Sequence, residues 1–184
     1  MRNTHIYSGI HSKHIEDLSA IDRACFGREP SEQEIRRALR HPHLFTFITH
    51  HDNNREQIVG YGLVLPLNRT AHKAIKEGRM AEEEIGSKHI VPESEASGIY
   101  IASIASLPYH PKISPLRMVS LRGRIVGYTL GPLLRTPKEV FAIAISHDGE
   151  SICRETGMVP QEYQGSLQGL KGYTSQLFTK SPLT

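Results

Sequence analysis

At 184 residues, 38% of them apolar, the chain has the length of one domain with one core. Its longest apolar runs, VFAIAIS and IVGYGLVL, are far too short to cross a bilayer, and its start (MRNTHIYSGIHSKHIEDL) lacks the pattern of a secretory signal. A net charge of only +3, with no tryptophan and no long basic run, fits an anionic ligand without requiring one and sets nucleic acid aside.

His14 to Phe26 (HIEDLSAIDRACF) places Ile15, Leu18, Ile21, Cys25 and Phe26 on one helical stripe, with Gly27 as the stop signal. Ser31 then opens SEQE, a capping box, and a second helix should run to about Arg40. Leu44–Ile48 and Ile58–Leu65 read as strands joined antiparallel through the turn residues Asp52, Asn53 and Asn54. Thr70–Ile85 returns to helix, broken near Gly78, as a surface insertion of one or two short helices. Gly98–Ser106 (GIYIASIAS) is a strand, Val140–Ser146 another, Gly149–Thr156 a short helix stopped by Gly157, and Gly172–Thr179 a final strand. The order describes one mixed α/β domain over residues 1–184, with a helical insertion at 68–97.

The stretch between the third and fourth strands carries two readings. RGRIVGYTLG, Arg122 to Gly131, has the letters of a phosphate-cradling loop. Yet Ser114 followed by Pro115 is a helix start, and Met118, Leu121, Ile125, Thr129 and Leu133 then recur at helical spacing. The helical reading uses this pattern and avoids a long structureless loop, so Arg122–Gly131 belongs inside a helix. Pro132 marks its kink or end. Gly123, Gly127 and Gly131 then lie on one side, which points to tight packing on the sheet or, as the other reading, to a helix contact in a homodimer. The anion-binding position moves to the turn LPYHPKIS and the helix start, where His110, Lys112 and Arg117 cluster.

Eleven histidines include the pairs His41/His43 and His50/His51, neither spaced for zinc and neither accompanied by CxxC. They are expected at the surface, with no metal site. Cys25 and Cys153 are expected to be free thiols in a reducing, cytoplasmic compartment.

IDRACFG, FTFITHHDNNREQIVGYGLVL, IYIASIASLPYHP and VFAIAIS–HDGESICRETGMVP, in that order, resemble the GNAT acyltransferase superfamily over most of residues 14–160. The helices after the hairpin resemble a bacterial subgroup. The resemblance implies a GNAT-like fold, acetyl-CoA or another acyl-CoA as cofactor, and direct acyl transfer to a small-molecule or protein amine. It implies a splayed central strand whose backbone at Ile104, Ala105 and Ser106 pairs with the pantetheine arm. His110, Lys112, Ser114 and Arg117 follow as diphosphate ligands. The family's [RQ]-x-x-G-x-[GA] loop falls on HPKISP by position, without either glycine, or on RGRIVG by letters. Cys153 stands where the family carries the tyrosine that protonates the CoA thiolate; it is either that donor or a small buried residue. The asparagine that often precedes this helix is replaced near Ser146. Tyr100, Glu95 and His110 are positional candidates for a base, and the insertion is expected to shape the acceptor pocket. The lost glycines and tyrosine also support an alternative: a catalytically eroded GNAT-shaped binding or regulatory module.

Overall fold

The computed structural model describes residues 4–52, 55–133, 138–161 and 171–175. The elements run β1 (Thr4–Ser8), α1 (Ile15–Phe26), α2 (Glu32–Arg40), β2 (Phe45–Asp52), β3 (Arg55–Leu67), α3 (Arg69–Lys76), β4 (Gly98–Ser106), α4 (Pro115–Leu130), β5 (Glu139–Ala144), α5 (His147–Glu155), β6 (Met158–Gln161) and β7 (Lys171–Ser175). The strands form a mixed sheet in the order β1-β2-β3-β4-β5-β7-β6. By compactness the chain divides into two units, Met1–Val64 with Ala102–Pro132 and Leu65–Ile101 with Leu133–Thr184.

In the first unit, β1, β2 and β3 form an antiparallel meander. Ile48 pairs with Gly60 and Thr49 with Ile58, so Val59 is the extra residue of a bulge. The bulge frees the Val59 carbonyl, which accepts from the Leu107 amide at 2.9 Å just past the end of β4. Ile48, Val59, Ile113, Met118, Leu121 and Ile125 form one buried cluster. Three of these are the helical stripe read from the sequence, now the inner face of α4. Losing most of one such side chain costs about 2–5 kcal/mol.

α4 begins as its residues dictate. The Ser114 hydroxyl accepts from the Arg117 amide at 3.4 Å, and proline occupies the first turn where its missing N–H costs nothing. It ends at Leu130, before Gly131 and Pro132. The expected tight packing of the glycines does not occur. A Cβ at Gly123 or Gly127 would meet nothing within 4 Å, because both face outward. The close approaches lie at strand glycines instead: a Cβ on Gly62 would sit 2.0 Å from the Thr129 hydroxyl oxygen of α4.

On the other side of the meander, Leu18 and Ile21 of α1 are buried. The Ile58 amide donates to the Asp17 carboxylate at 2.9 Å, and the Tyr61 hydroxyl donates to Asp22 at 2.5 Å. The capping box forms as read: Glu34 donates its amide to Ser31 Oγ (3.2 Å) and its carboxylate accepts from the Ser31 amide (2.7 Å). The histidines depart from the surface expectation. His50 is only 4% exposed, and His14 and His110 are buried with it in this unit.

In the second unit, α3 is shorter than the periodicity suggested and is capped by Asn68, whose side-chain oxygen accepts from the Ala71 amide. The chain continues as three 3₁₀ turns at Glu82–Glu84, Ser87–His89 and Glu93–Glu95. β4 and β5 pair in parallel over Gly98–Ile101 and Glu139–Ala142. β7 pairs antiparallel with β5, and β6 with β7. Ser146 caps α5 through the Gly149 amide, and Gly157 stops it at φ +78°, a conformation that favours glycine. The far end of the final predicted strand, beyond Ser175, lies outside the described residues. β1 and β6 were not read from the sequence.

Candidate functional site

The segment from Ala102 to Arg117 brings the predicted cofactor residues onto one strand end, one turn and one helix start. Ala105 is buried and Ile104 half-buried. Ser106, the last residue of β4, is bound from two directions. Its carbonyl accepts from Cys25 Sγ at 3.1 Å, and its hydroxyl accepts from Arg122 Nε at 3.1 Å. Arg122 also donates through Nη2 to the Pro108 carbonyl at 3.3 Å. The arginine from the loop-like letters is thus a brace that ties α4 to the strand end and the turn.

The turn closes on itself. The Ile113 amide donates to the His110 carbonyl at 3.1 Å, and the two residues form an isolated bridge. His110 Nδ1 accepts from the Lys112 amide at 3.3 Å. That fixes the neutral tautomer with its proton on Nε2, 3.1 Å from Gln57 Oε1. His110 is 6% exposed, with its ring edge-on to His50 at a centroid distance of 5.2 Å. One ring nitrogen closes the turn and the other ties it to Gln57 of β3.

The donors facing outward are therefore few. The amides of Lys112, Ile113 and Arg117 have partners within the chain, and Pro115 has none to offer. Charge takes their place. Lys112 and Arg117 are exposed, α4 has no acidic residue in its first turn, and the helix start adds a partial positive charge. Arg117 also reaches Thr4 Oγ1 at 3.5 Å. Of the expected basic cluster, Lys112 and Arg117 are exposed while His110 is buried with its ring bonded, and the Arg122 brace and the Cys25 contact were not read from the sequence. Both connect residues more than ten positions apart, so no local spacing announces them.

The remaining predicted residues lie in the second unit. Tyr100 is buried, stacks on Phe141 and donates its hydroxyl to Glu82 Oε2 at 3.0 Å. Cys153 is 7% exposed on α5. Burial, helped by the nearby Glu150 charge, pushes its thiol up to about 11, so it remains protonated at neutral pH. Both cysteines are free thiols. Among the described residues no group of three metal-ligating side chains occurs. No helix among them is long and apolar enough to cross a membrane.

No protein-family model matches the sequence, and no curated protein matches it. Solved structures do match. The chain is similar to the loading GNATL domain of CurA from Lyngbya majuscula, with a TM-score of 0.67 and 13% identity over 96% of this chain and 98% of that one. It is similar to the GphF GNAT-like decarboxylase in complex with isobutyryl-CoA (TM-score 0.64, 11% identity, 94% of this chain and 99% of that one). It is also similar to Arabidopsis thaliana Naa50 in complex with the bisubstrate analogue CoA-Ac-MVNAL (TM-score 0.57, 12% identity, 94% and 97%). The likeness spans nearly the whole of each chain, with the mixed sheet and flanking helices described above, and so this chain has the fold of the GNAT acyltransferases.

Proposed function

We propose that the chain binds an acyl-CoA along the end of β4 and the start of α4 and transfers the acyl group to an amine. The observation that carries this reading is the near full-length likeness to GNAT-fold structures that hold CoA or its acyl conjugates. Here the cofactor would supply the activated thioester. The backbone of Ile104 and Ala105 takes the pantetheine arm, while Lys112, Arg117 and the α4 start hold the diphosphate by charge where the glycine amides of the family loop are missing. Ser114 sets the helix start, and the Arg122 brace holds the Ser106–Pro108 backbone in place. An amine nitrogen would attack the acyl carbon, forming the C–N bond as the C–S bond breaks, with the amine's excess proton passing through water to the departing thiolate.

The internally satisfied turn supports a second reading, a GNAT-shaped binding module without turnover. Titration of acetyl-CoA and longer acyl-CoAs by calorimetry and thermal shift tests binding, and a panel of amines and polyamines tests turnover. At about 100 times Kd a ligand adds about 2.7 kcal/mol of stability, so the melting temperature should rise clearly. Lys112→Ala with Arg117→Ala should weaken binding. Absence of any shift removes the first reading and the cofactor half of the second, and binding without acyl transfer to any amine favours the second.

A further inference from the structure

We infer that His110 is a proton-operated latch: a row of meander side chains, Thr4, His50 and Gln57, moors the β4–α4 turn while this ring is neutral, and acidification releases the turn. Thr4 of β1 and Gln57 of β3 both pair with His50 of β2 in the sheet register, so the three side chains stand in a row on one face. The turn and the helix after it come down on each of them. Arg117 Nη2 reaches Thr4 Oγ1 at 3.5 Å, the His110 ring lies edge-on to His50 at 5.2 Å, and His110 Nε2 stands 3.1 Å from Gln57 Oε1. The same ring closes the turn, because its Nδ1 accepts from the Lys112 amide at 3.3 Å. An imidazole accepts at Nδ1 and donates at Nε2 only in its neutral form.

A proton on Nδ1 turns that acceptor into a donor facing the Lys112 N–H, and the bond is lost. It also creates a charge where His50 is 4% and His110 6% exposed, away from the water that would hydrate it. Among the described contacts, the titratable and charged groups around the ring are His50 from β2, Lys112 from the turn and Arg117 from the first turn of α4. β1 and β3 present the uncharged Thr4 and Gln57. Glu56, next along β3, lies on the opposite face of the sheet, where it bonds Lys13 and faces His51. The new charge therefore meets like charges, and opening the turn frees Nδ1 to water. The closed turn favours the neutral ring, so it is fully favoured above the ordinary imidazole range near 6.5 and loses ground as pH falls through that range. One proton weakens it by about tenfold for each pH unit below the range.

Amide hydrogen exchange followed by NMR on the full chain reads the latch at Lys112 and at Ile113, whose amide donates to the His110 carbonyl. Their protection factors should fall by about tenfold between about pH 7.5 and about pH 5.5. The Leu107 amide, bonded to the Val59 carbonyl in the sheet, should keep its protection, which separates release of the turn from unfolding. His110→Asn places an oxygen near the Nδ1 position that bonds the amide two residues on and takes no proton, so its turn should be equally protected at both pH values. His51→Gln, on the other face, should leave the fall intact. The consequence for acyl-CoA rests on the function proposed above: saturating acetyl-CoA should restore protection at the lower pH. If acetyl-CoA protects the turn at neither pH, that function fails while the exchange data still decide the latch. Three results would overturn the inference: unchanged protection of Lys112 and Ile113 across the two pH values, an equal fall in His110→Asn, or long-range nitrogen–proton spectra showing His110 Nδ1 protonated with Lys112 still protected. The parent chain alone decides the first and third, should His110→Asn not fold.

Discussion

Gly62→Ala tests how α4 is seated on the meander. The added methyl would stand 2.0 Å from Thr129 Oγ1, 2.7 Å from its Cγ2 and 2.8 Å from its Cβ. Rotating χ1 could move the first two atoms, but Cβ is fixed to the helix, and ordinary carbon contacts need about 3.5–4.0 Å. The helix must therefore retreat by about 1 Å from a core closed by Met118, Leu121 and Ile125. Overpacking of this kind costs about 1–3 kcal/mol. Removing a strand glycine returns about 0.5–1 kcal/mol. A net loss of about 1–2 kcal/mol follows, which lowers the melting temperature by roughly 2–8 °C for a chain of this size. Thr129→Ala alone should be nearly neutral: it empties a methyl's volume but also removes a buried hydroxyl with no partner among the described residues. In the double variant the 2.8 Å Cβ contact remains, so the helix must still retreat and only part of the lost stability should be recovered. Urea unfolding of the four proteins, with a shared m-value, gives the coupling energy. If Gly62→Ala proves as stable as the parent within about 0.5 kcal/mol, α4 does not lie against Gly62 as described.

Thiol reactivity should divide cleanly: native protein should present Cys25 to Ellman's reagent first and Cys153 only on unfolding, and Cys153→Ala should leave the native rapid phase unchanged. Burial alone would raise the Glu34 carboxyl, but bonds from Arg28 and from the Ser31 amide and hydroxyl outweigh it and hold the group at about 2. Its stabilising contribution is complete above its ordinary value near 4.5 and is lost as pH falls through that value toward about 2. With Arg28 half exposed, Arg28→Ala should remove about 1 kcal/mol of it, read as a shallower loss of stability on acidification. Burial lowers the imidazole of His72 below its ordinary 6.5, against the opposing pull of Glu139 and with help from Lys76. Its contribution is present above pH 6.5 and lost as pH falls toward the folded value, so His72→Gln should flatten the stability profile between neutral and mildly acidic pH.

Much of this architecture was legible in the local pattern. The Leu18–Ile21 part of the α1 stripe, the Ser31–Glu34 box, the Ser114–Pro115 start and the Gly157 stop are each decided by neighbours within a turn or two and form where the residues require, whereas Cys25, expected on that stripe, is exposed. The helical spacing from Met118 to Thr129 was enough to place Arg122–Leu130 inside a helix. Short edge elements were not legible: β6 is four residues long and contains a proline, and β1 is a five-residue edge strand whose partner lies some forty positions away.

What the sequence by itself determined is the order of elements and which face of each is apolar, because periodicity and capping act over a few residues. Only the tertiary structure decided what those faces meet. It placed Gly62, not Gly123 or Gly127, at the close approach to α4, buried His50 and His110 against each other, and spent Arg122 on Ser106 and Pro108. Such outcomes depend on distances between atoms remote in the chain, and a side chain's partner across the fold has no signature in its immediate neighbours.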